Sequence, residues 1–493
     1  MTADVAVTAS IGHQAGRGLR WSLFGTLLTK VGSFAMGLVL ARLLAPADFG
    51  VYAIAIAATA VLMHINDVGL IAATVQWRGR LEEMAPTAAT MAMLFATGIY
   101  GVFFLAAPAF AGAAGNADAA PVVRLLALVI VIDGVTAVRS GALMRTFQQG
   151  RLVIANMAGL VVNAAVAISL AIGDAGPFSF AWGQVAGACV TGVFVFVFGR
   201  VPVKYGFDRA IARRLMLFGM PLAASLGVEA VVTNAQFAVV GRLTGATAVG
   251  YYLLAFNVAS WAQNILGQAI RYVSVAGFSR LSEHHDEALS DGVQRSMPLM
   301  VLVVAPIVAL TSVLAAPLVD LLYGSQWAPA APVLHILVGL TLVRMVTGLS
   351  MDALMGAGAT RATLWLNLGW AAVLIPTLWW ATHLDGIRGA ALAQTGVGVL
   401  VAVPLAAVAL RRAKVALAPV AAALVRPLCA AVLAAVVATL VLPFAGPYPV
   451  IQLAVAGAAG LLAYVPAAIP RDQLRQMLAL LPGRRNAAGA LQR

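Results

Sequence analysis

Five polar residues interrupt an otherwise apolar stretch: Asn257, Ser260, Asn264, Gln268 and Arg271, at steps of three or four. On a helix such steps share one face, here flanked by Trp261. Amides, a hydroxyl and a guanidinium in a row can solvate a polar, negatively charged group. They can equally serve as hydrogen-bonding glue between helices; the unbroken run along one face favours a polar lining. Thr26, Lys30, Ser33 and Gly37 form a similar stripe. Lys30 stands about 15 Å of helix rise from Arg20, near mid-depth of any bilayer that helix crosses. Ser225, Glu229 and Gln236 share a third face. His64 and Asp67, three apart, suit a proton relay, or Asp67 simply caps its helix. The cluster Glu283-His284-His285-Asp286-Glu287 reads as solvated loop charge. No metal and no cofactor is expected.

The elements that hold these residues must lie in lipid. Hydrophobic residues make up 62% of the 493, charged residues 10%, and mean hydropathy is +0.95. Soluble domains carry roughly 25% charged residues, so this chain cannot cover itself with polar surface. A crossing helix needs about 20 apolar residues. Fourteen stretches qualify: 20–44, 49–73, 87–111, 121–141, 152–173, 178–198, 214–240, 248–270, 297–322, 330–353, 362–382, 388–410, 426–444 and 449–469. Turn residues punctuate them, as at Ala45-Pro46-Ala47-Asp48, 173–177 and Gly446-Pro447. The polar start lacks a cleavable signal pattern. Cys189 and Cys429 fall inside apolar stretches and read as small buried hydrophobes.

The net charge of +13 suggests nucleic acid until its distribution is followed. With the N-terminus inside, only Arg42, Arg242 and Arg388 fall in outside loops. Lys30, Arg124, Arg139 and Arg344 fall within spans, and every other Lys and Arg falls inside. This is the pattern of orientation signals. It predicts both termini in the cytoplasm and no nucleic-acid partner.

The chain also repeats itself. Arg42, Leu43, Gly50, Tyr52 and Ala55 recur as Arg242, Leu243, Gly250, Tyr252 and Ala255. Further on, Ala120-Pro121-Val122 matches Ala331-Pro332-Val333, Ala142-Leu143-Met144 matches Ala353-Leu354-Met355, and Asn156 matches Asn367. An even number of spans per copy predicts two six-helix lobes related by a pseudo-two-fold axis along the membrane normal. The expected organisation is a cytoplasmic segment at 1–19, an N-lobe at 20–200 and a C-lobe at 201–412. Two further helices occupy 413–470, followed by a basic cytoplasmic tail at 471–493. In this register Asp133 corresponds to Arg344, and Arg124 to His335. An acid and a base at equivalent positions can pair across a central cavity, or each can pair locally.

Two-lobed repeats favour transport by alternating access. No Gly-x-x-x-x-Gly-Lys-Ser/Thr loop occurs, so ATP hydrolysis by the chain itself is not expected. Outside loops are too short for a catalytic centre, which argues against a membrane-embedded glycan-processing enzyme.

The segments "ARLLAPADFGVYAIA" (41–55), "NDVGLIAATVQ" (66–76), "VVGRLTGATAVGYYLLAFNVA" (239–259), "FSRLSEHHD" (278–286) and "LLYGSQWAPAAPVLHIL" (321–337) carry a resemblance. They resemble the polysaccharide-transport, Wzx-like oligosaccharide flippases of the multidrug/oligosaccharidyl-lipid/polysaccharide superfamily, over roughly 17–410. The resemblance implies two six-helix lobes around a cationic cavity, often with two extra helices. It implies flipping of a polyprenyl-diphosphate-linked oligosaccharide to the outer leaflet of a bacterial inner membrane. Polysaccharide polymerase and glycosyltransferases are the implied partners. A multidrug or small-molecule antiporter of the same superfamily is the alternative. On this reading Lys30, Arg124, Asn257, Ser260, Asn264, Gln268, Arg271 and Arg344 line the substrate cavity, and Glu229, Asp133 and Asp67 are the ion-coupling candidates. Two positions depart from the family pattern. Gln236 stands where many relatives carry an acid, a role Glu229 could take over, and Ala276 stands where relatives often have Pro.

Overall fold

The computed structural model describes residues 25–76, 80–146, 148–199, 204–261, 263, 286–356 and 360–469. Among them there is no strand. The helices are α1 Gly25–Leu43, α2 Pro46–Gln76, α3 Leu81–Ala113, α4 Ala119–Arg145, α5 Gln149–Ile172, α6 Phe178–Phe198 and α7 Arg209–Thr244. After α8 (246–261) come α9 Asp286–Val313, α10 Ala315–Tyr323, α11 Ala331–Gly356, α12 Thr360–Val397, α13 Val403–Arg412, α14 Leu417–Val441 and α15 Pro449–Ala468. Ten helices among the described residues are long and apolar enough to cross a membrane. One of these, Trp365–Arg412, is a hairpin. Its helical geometry breaks at Asp385 (φ −136°) and Gly386 (φ 54°), and Gly369 on one arm faces Leu405 on the other.

The chain divides into two compact units. One is Met1–Leu254 with the hairpin tip Leu378–Ala390; the other is Ala255–Thr377 with Ala391–Arg493. In the first unit, small residues let helices touch backbone to backbone, as expected where lipid supplies no hydrophobic drive between them. A side chain at Gly159 on α5 would strike Thr191 and the Gly187 carbonyl of α6. Gly25 and Gly32 seat α1 against Val153 and Leu160 of α5, and Gly134 of α4 meets Ala96 of α3.

The loops of this unit gather at two ends. At one end a Cβ on Gly50 would overlap the Ala246 carbonyl oxygen, and one on Gly250 would overlap that of Pro46. The two glycines that define the sequence repeat therefore sit at one helix crossing, where α2 and α8 begin. Gly115 packs on Gly241, the Arg242 guanidinium donates to the Gly112 carbonyl (3.4 Å), Gly176 faces the Asp48 carboxylate, and Gly386 faces Thr244. At the other end the Arg151 guanidinium reaches the Phe198 carbonyl (3.4 Å), and residues 204–208 run along the start of α3.

In the second unit α9, α11 and α14 form the core with α15 alongside. Tyr464 donates to the Leu302 carbonyl (2.6 Å), and Arg426 of α14 donates to the carbonyls of Ala467 and Ile469 (2.9 and 2.8 Å). These last two bonds satisfy carbonyls that the end of α15 leaves open. Both cysteines are exposed, on α6 and α14. That corrects the expectation of burial: on a helix in lipid, an apolar side chain gains nothing by turning inward.

Candidate functional site

On α1, Gly25 and Gly32 mark the side that meets α5. At 100° per residue, Thr26, Lys30, Ser33 and Gly37 lie on a different side of the cylinder. Ser33 is exposed and Lys30 half-buried. Among the described residues no hydrogen bond or ion pair engages the Lys30 ammonium.

On α8, Tyr252, Ala255 and Ala259 are buried, whereas Asn257 and Trp261 are exposed and Ser260 is half-buried. Of the polar stripe, Asn257 and Ser260 are therefore left open or half open by the packing of α8. Asn264, Gln268 and Arg271 lie outside the described residues. The packed face meets α11: Thr341 donates its hydroxyl to the Ala259 carbonyl, and the Arg344 guanidinium stands 5.1 Å from the Phe256 ring centroid. Phe256 lies one turn before Ser260, so α11 delivers Arg344 to the edge of the stripe. The second unit thereby assembles Asn257, Ser260 and Arg344.

Other expected residues have local partners. The Arg124 Nε donates to the Phe104 carbonyl (2.9 Å), with its guanidinium 4.5 Å from the Phe104 ring centroid, which ties α4 to α3. Its repeat equivalent behaves alike. His335 on α11 sets Nδ1 2.9 Å from the Ser312 carbonyl of α9, and the Ser312 hydroxyl returns a bond to the His335 carbonyl (2.9 Å). Both members of the pair therefore clasp the preceding long helix through its main chain. Asp133 is half-buried in the first unit and Arg344 belongs to the second. Asp67 and Glu229 fall within α2 and α7, with side chains outside those described, as are those of His64 and Ser225.

Gln236 is fully buried. It accepts from the Tyr252 hydroxyl (2.8 Å) and donates to the Thr233 carbonyl (2.9 Å). The position where relatives carry an acid is thus a neutral structural bond between α7 and α8. Two buried charges escaped the sequence reading as candidates. Arg139 stacks over Phe196 of α6 at 3.9 Å, and Asp352 on α11 is 3% exposed. Arg139 follows Asp133 and Thr136 at steps of three, a signal that spacing carries, whereas Asp352 stands as a lone acid on its helix. Between α9, α11 and α14 lies an apolar cavity of ≈ 600 Å³, with Ser312 and His335 among its lining. No cluster of metal-ligating side chains occurs among the described residues.

These features define a class: a polytopic all-α membrane protein with bases and amides on open faces of apolar helices. A family model described as "Polysaccharide biosynthesis protein" matches residues 39–332, and the chain belongs to that family. It is 26% identical over 327 residues to the succinoglycan biosynthesis transport protein ExoT of Rhizobium meliloti (strain 1021), covering 65% of each chain. The match therefore spans just under two thirds of that relative's length. It is 22% identical over 383 residues to the lipopolysaccharide biosynthesis protein WzxC of Escherichia coli (strain K12), covering 76% of each. Among solved structures it is similar to lipid II flippase MurJ in an inward closed conformation. That likeness has a TM-score of 0.75 at 12% identity and covers 90% of this chain and 98% of that one. An inward-facing MATE multidrug transporter aligns with TM-score 0.63 at 16% identity, over 78% and 95%. These likenesses show that the chain shares the fold of those two transporters.

Proposed function

We propose that this protein is a flippase that moves a polyprenyl-diphosphate-linked oligosaccharide, a precursor of a cell-surface polysaccharide, from the inner to the outer leaflet. It is a transporter and not an enzyme, and it works by alternating access between two lobes. The observation that carries this reading is the placement of Lys30, Asn257, Ser260 and Arg344 on helices that lipid would otherwise keep apolar, in a chain of the polysaccharide biosynthesis family. A diphosphate leaving interfacial water needs cations and hydrogen-bond donors at depth. By their spacing Asn264, Gln268 and Arg271 continue the same stripe, and we assign Arg124 to the substrate path with them. We further assign fourteen crossings, a bacterial inner-membrane location with both termini cytoplasmic, and work alongside a polysaccharide polymerase and glycosyltransferases.

The direct test reconstitutes the chain in vesicles with a fluorescent polyprenyl-diphosphate oligosaccharide and follows its arrival in the opposite leaflet. Transfer above protein-free vesicles is expected. Transfer equal to theirs, with uptake of a cationic drug instead, would overturn the assignment in favour of antiport. Coupling falls to Glu229, Asp133 or Asp67, three of the carboxylates within spans. Glu229→Gln and Asp133→Asn should each weaken the dependence of flipping on the proton gradient. If both variants stay fully gradient-dependent, Asp67 remains as the coupling candidate.

A further inference from the structure

One patch of exposed charge takes no part in the site above. Residues 204–208 lie extended along the start of α3, held by the Gly206 N–H donating to Thr90 Oγ1 (3.2 Å) and the Asp208 N–H donating to Thr87 Oγ1 (3.1 Å). Tyr205 and Phe207 on this segment are both exposed, at 55% and 65%. The Asp208 carboxylate is spent on the helix that follows, accepting from the N–H groups of Ala210 and Ile211 (2.7 and 3.1 Å). Along α7, Arg209, Arg213, Leu217 and Met220 recur at steps of three or four, and all are exposed. That stripe is basic for its first turn and apolar afterwards.

The length of α7 explains the change. Its 36 residues span about 54 Å, against roughly 30 Å of hydrocarbon, so part of it stands outside the core. The exchange of Arg213 for Leu217 one turn later marks where headgroups give way to tails. Lys204, Arg209 and Arg213 pair with no carboxylate among the described residues. Of the acids that open α3, Glu82 faces Arg80 at 3.9 Å and Glu83 is exposed. A cluster of cations at the headgroup boundary, backed by two aromatic rings on a fixed backbone, matches an anionic lipid surface. Guanidinium groups donate to phosphate oxygens, and amphipathic rings favour the interface.

We propose that Lys204, Tyr205, Phe207, Arg209 and Arg213 form a docking surface for anionic phospholipid headgroups, which fastens the connection between the sixth and seventh spans to the leaflet on that side. The test uses the full chain in vesicles of phosphatidylcholine and phosphatidylglycerol with a trace of polyprenyl diphosphate. Lipid retained per chain after extraction is read by native mass spectrometry. The wild type should retain phosphatidylglycerol over phosphatidylcholine. Arg209→Gln with Arg213→Gln should lower that retention about ten-fold, as should high salt. Arg209→Lys with Arg213→Lys should keep most of it. The charge-matched control Arg411→Gln with Arg412→Gln, at another loop, should leave it unchanged. Unchanged retention in the first pair, or an equal loss in the control, would overturn the proposal. Retention of polyprenyl diphosphate in place of phosphatidylglycerol would overturn it too, and would make the patch a substrate-loading surface. None of these readouts depends on flipping, so failure here leaves the transport reading standing.

Discussion

A lysine inside a lipid-crossing helix costs roughly 2.5–3.5 kcal/mol on insertion scales, and Lys30 carries that cost on a face that does not pack against α5. If it served only the fold, Ala would be tolerated or stabilising. If it meets the diphosphate, Lys30→Ala should lower flipping roughly ten-fold or more, the worth of one charge-assisted hydrogen bond, at unchanged membrane abundance. Lys30→Arg should retain part of the activity. Normal flipping by Lys30→Ala would shift the role to Arg344 or Arg271. The buried pair on α7 and α8 tests the opposite kind of residue. Tyr252→Phe removes the donor to the buried Gln236 oxygen, which should cost on the order of 1–3 kcal/mol and lower thermal stability without changing coupling. At this scale spacing was informative only where residues repeat along one face. It exposed the stripes of α1 and α8. It aligned Arg124 with His335 without showing that both are clasps, because their acceptors are main-chain carbonyls of another helix. Asp352 left no trace, being a single acid with no helical neighbours of its kind.

Helices in this chain are separated by turn chemistry and joined by glycine. Hydropathy ends one span at 382 and starts the next at 388, and the break in α12 falls between them at Asp385, where Gly386 takes a positive φ that other residues resist. The stretch 297–322 was expected as one span, yet a non-helical Leu314 divides it into α9 and α10, a break that hydropathy does not register. Which glycines touch was likewise hidden, since contact depends on how helices cross. Gly50 and Gly250 were legible as repeat equivalents but not as neighbours. Their crossing makes a sharp expectation. Gly50→Ala or Gly250→Ala places a methyl group on a carbonyl oxygen that belongs to backbone and cannot swing aside. Each should destabilise by about 1–3 kcal/mol or more, read as a lower midpoint of thermal unfolding in detergent. Gly98→Ala, which points into open space, should raise the midpoint slightly or leave it unchanged. Equal melting of all three would mean that the α2–α8 crossing is loose.

For the whole molecule the question is which way it sits in the membrane. Within the first unit, loops at 45–48, 112–118, 173–177, 241–245 and 385–386 meet at one end, while 199 and 204–208 meet the other. On the proposed orientation, which rests on the alternation of Lys and Arg, the first group lies outside and the second in the cytoplasm. Exposed aromatics support two interfaces. Phe178, Trp182, Trp379, Trp380, Phe444 and Tyr448 lie near the turns read as outside, and Trp365, Tyr205 and Phe207 near those read as inside. Topology reporters fused near residues 82, 148, 206, 285, 413 and 485 should therefore report the cytoplasm, and those near 115, 175, 245 and 385 the exterior. The pair 413 and 485 is the most demanding, because α14 and α15 lie beyond the repeat and take no support from its symmetry. Each is long and apolar enough to cross, and Arg426 ties the start of one to the end of the other. Two antiparallel crossings return the chain to the side it left. A cytoplasmic reporter at 413 with an external one at 485 would require an odd number of crossings after Arg412 and would break the fourteen-span arrangement.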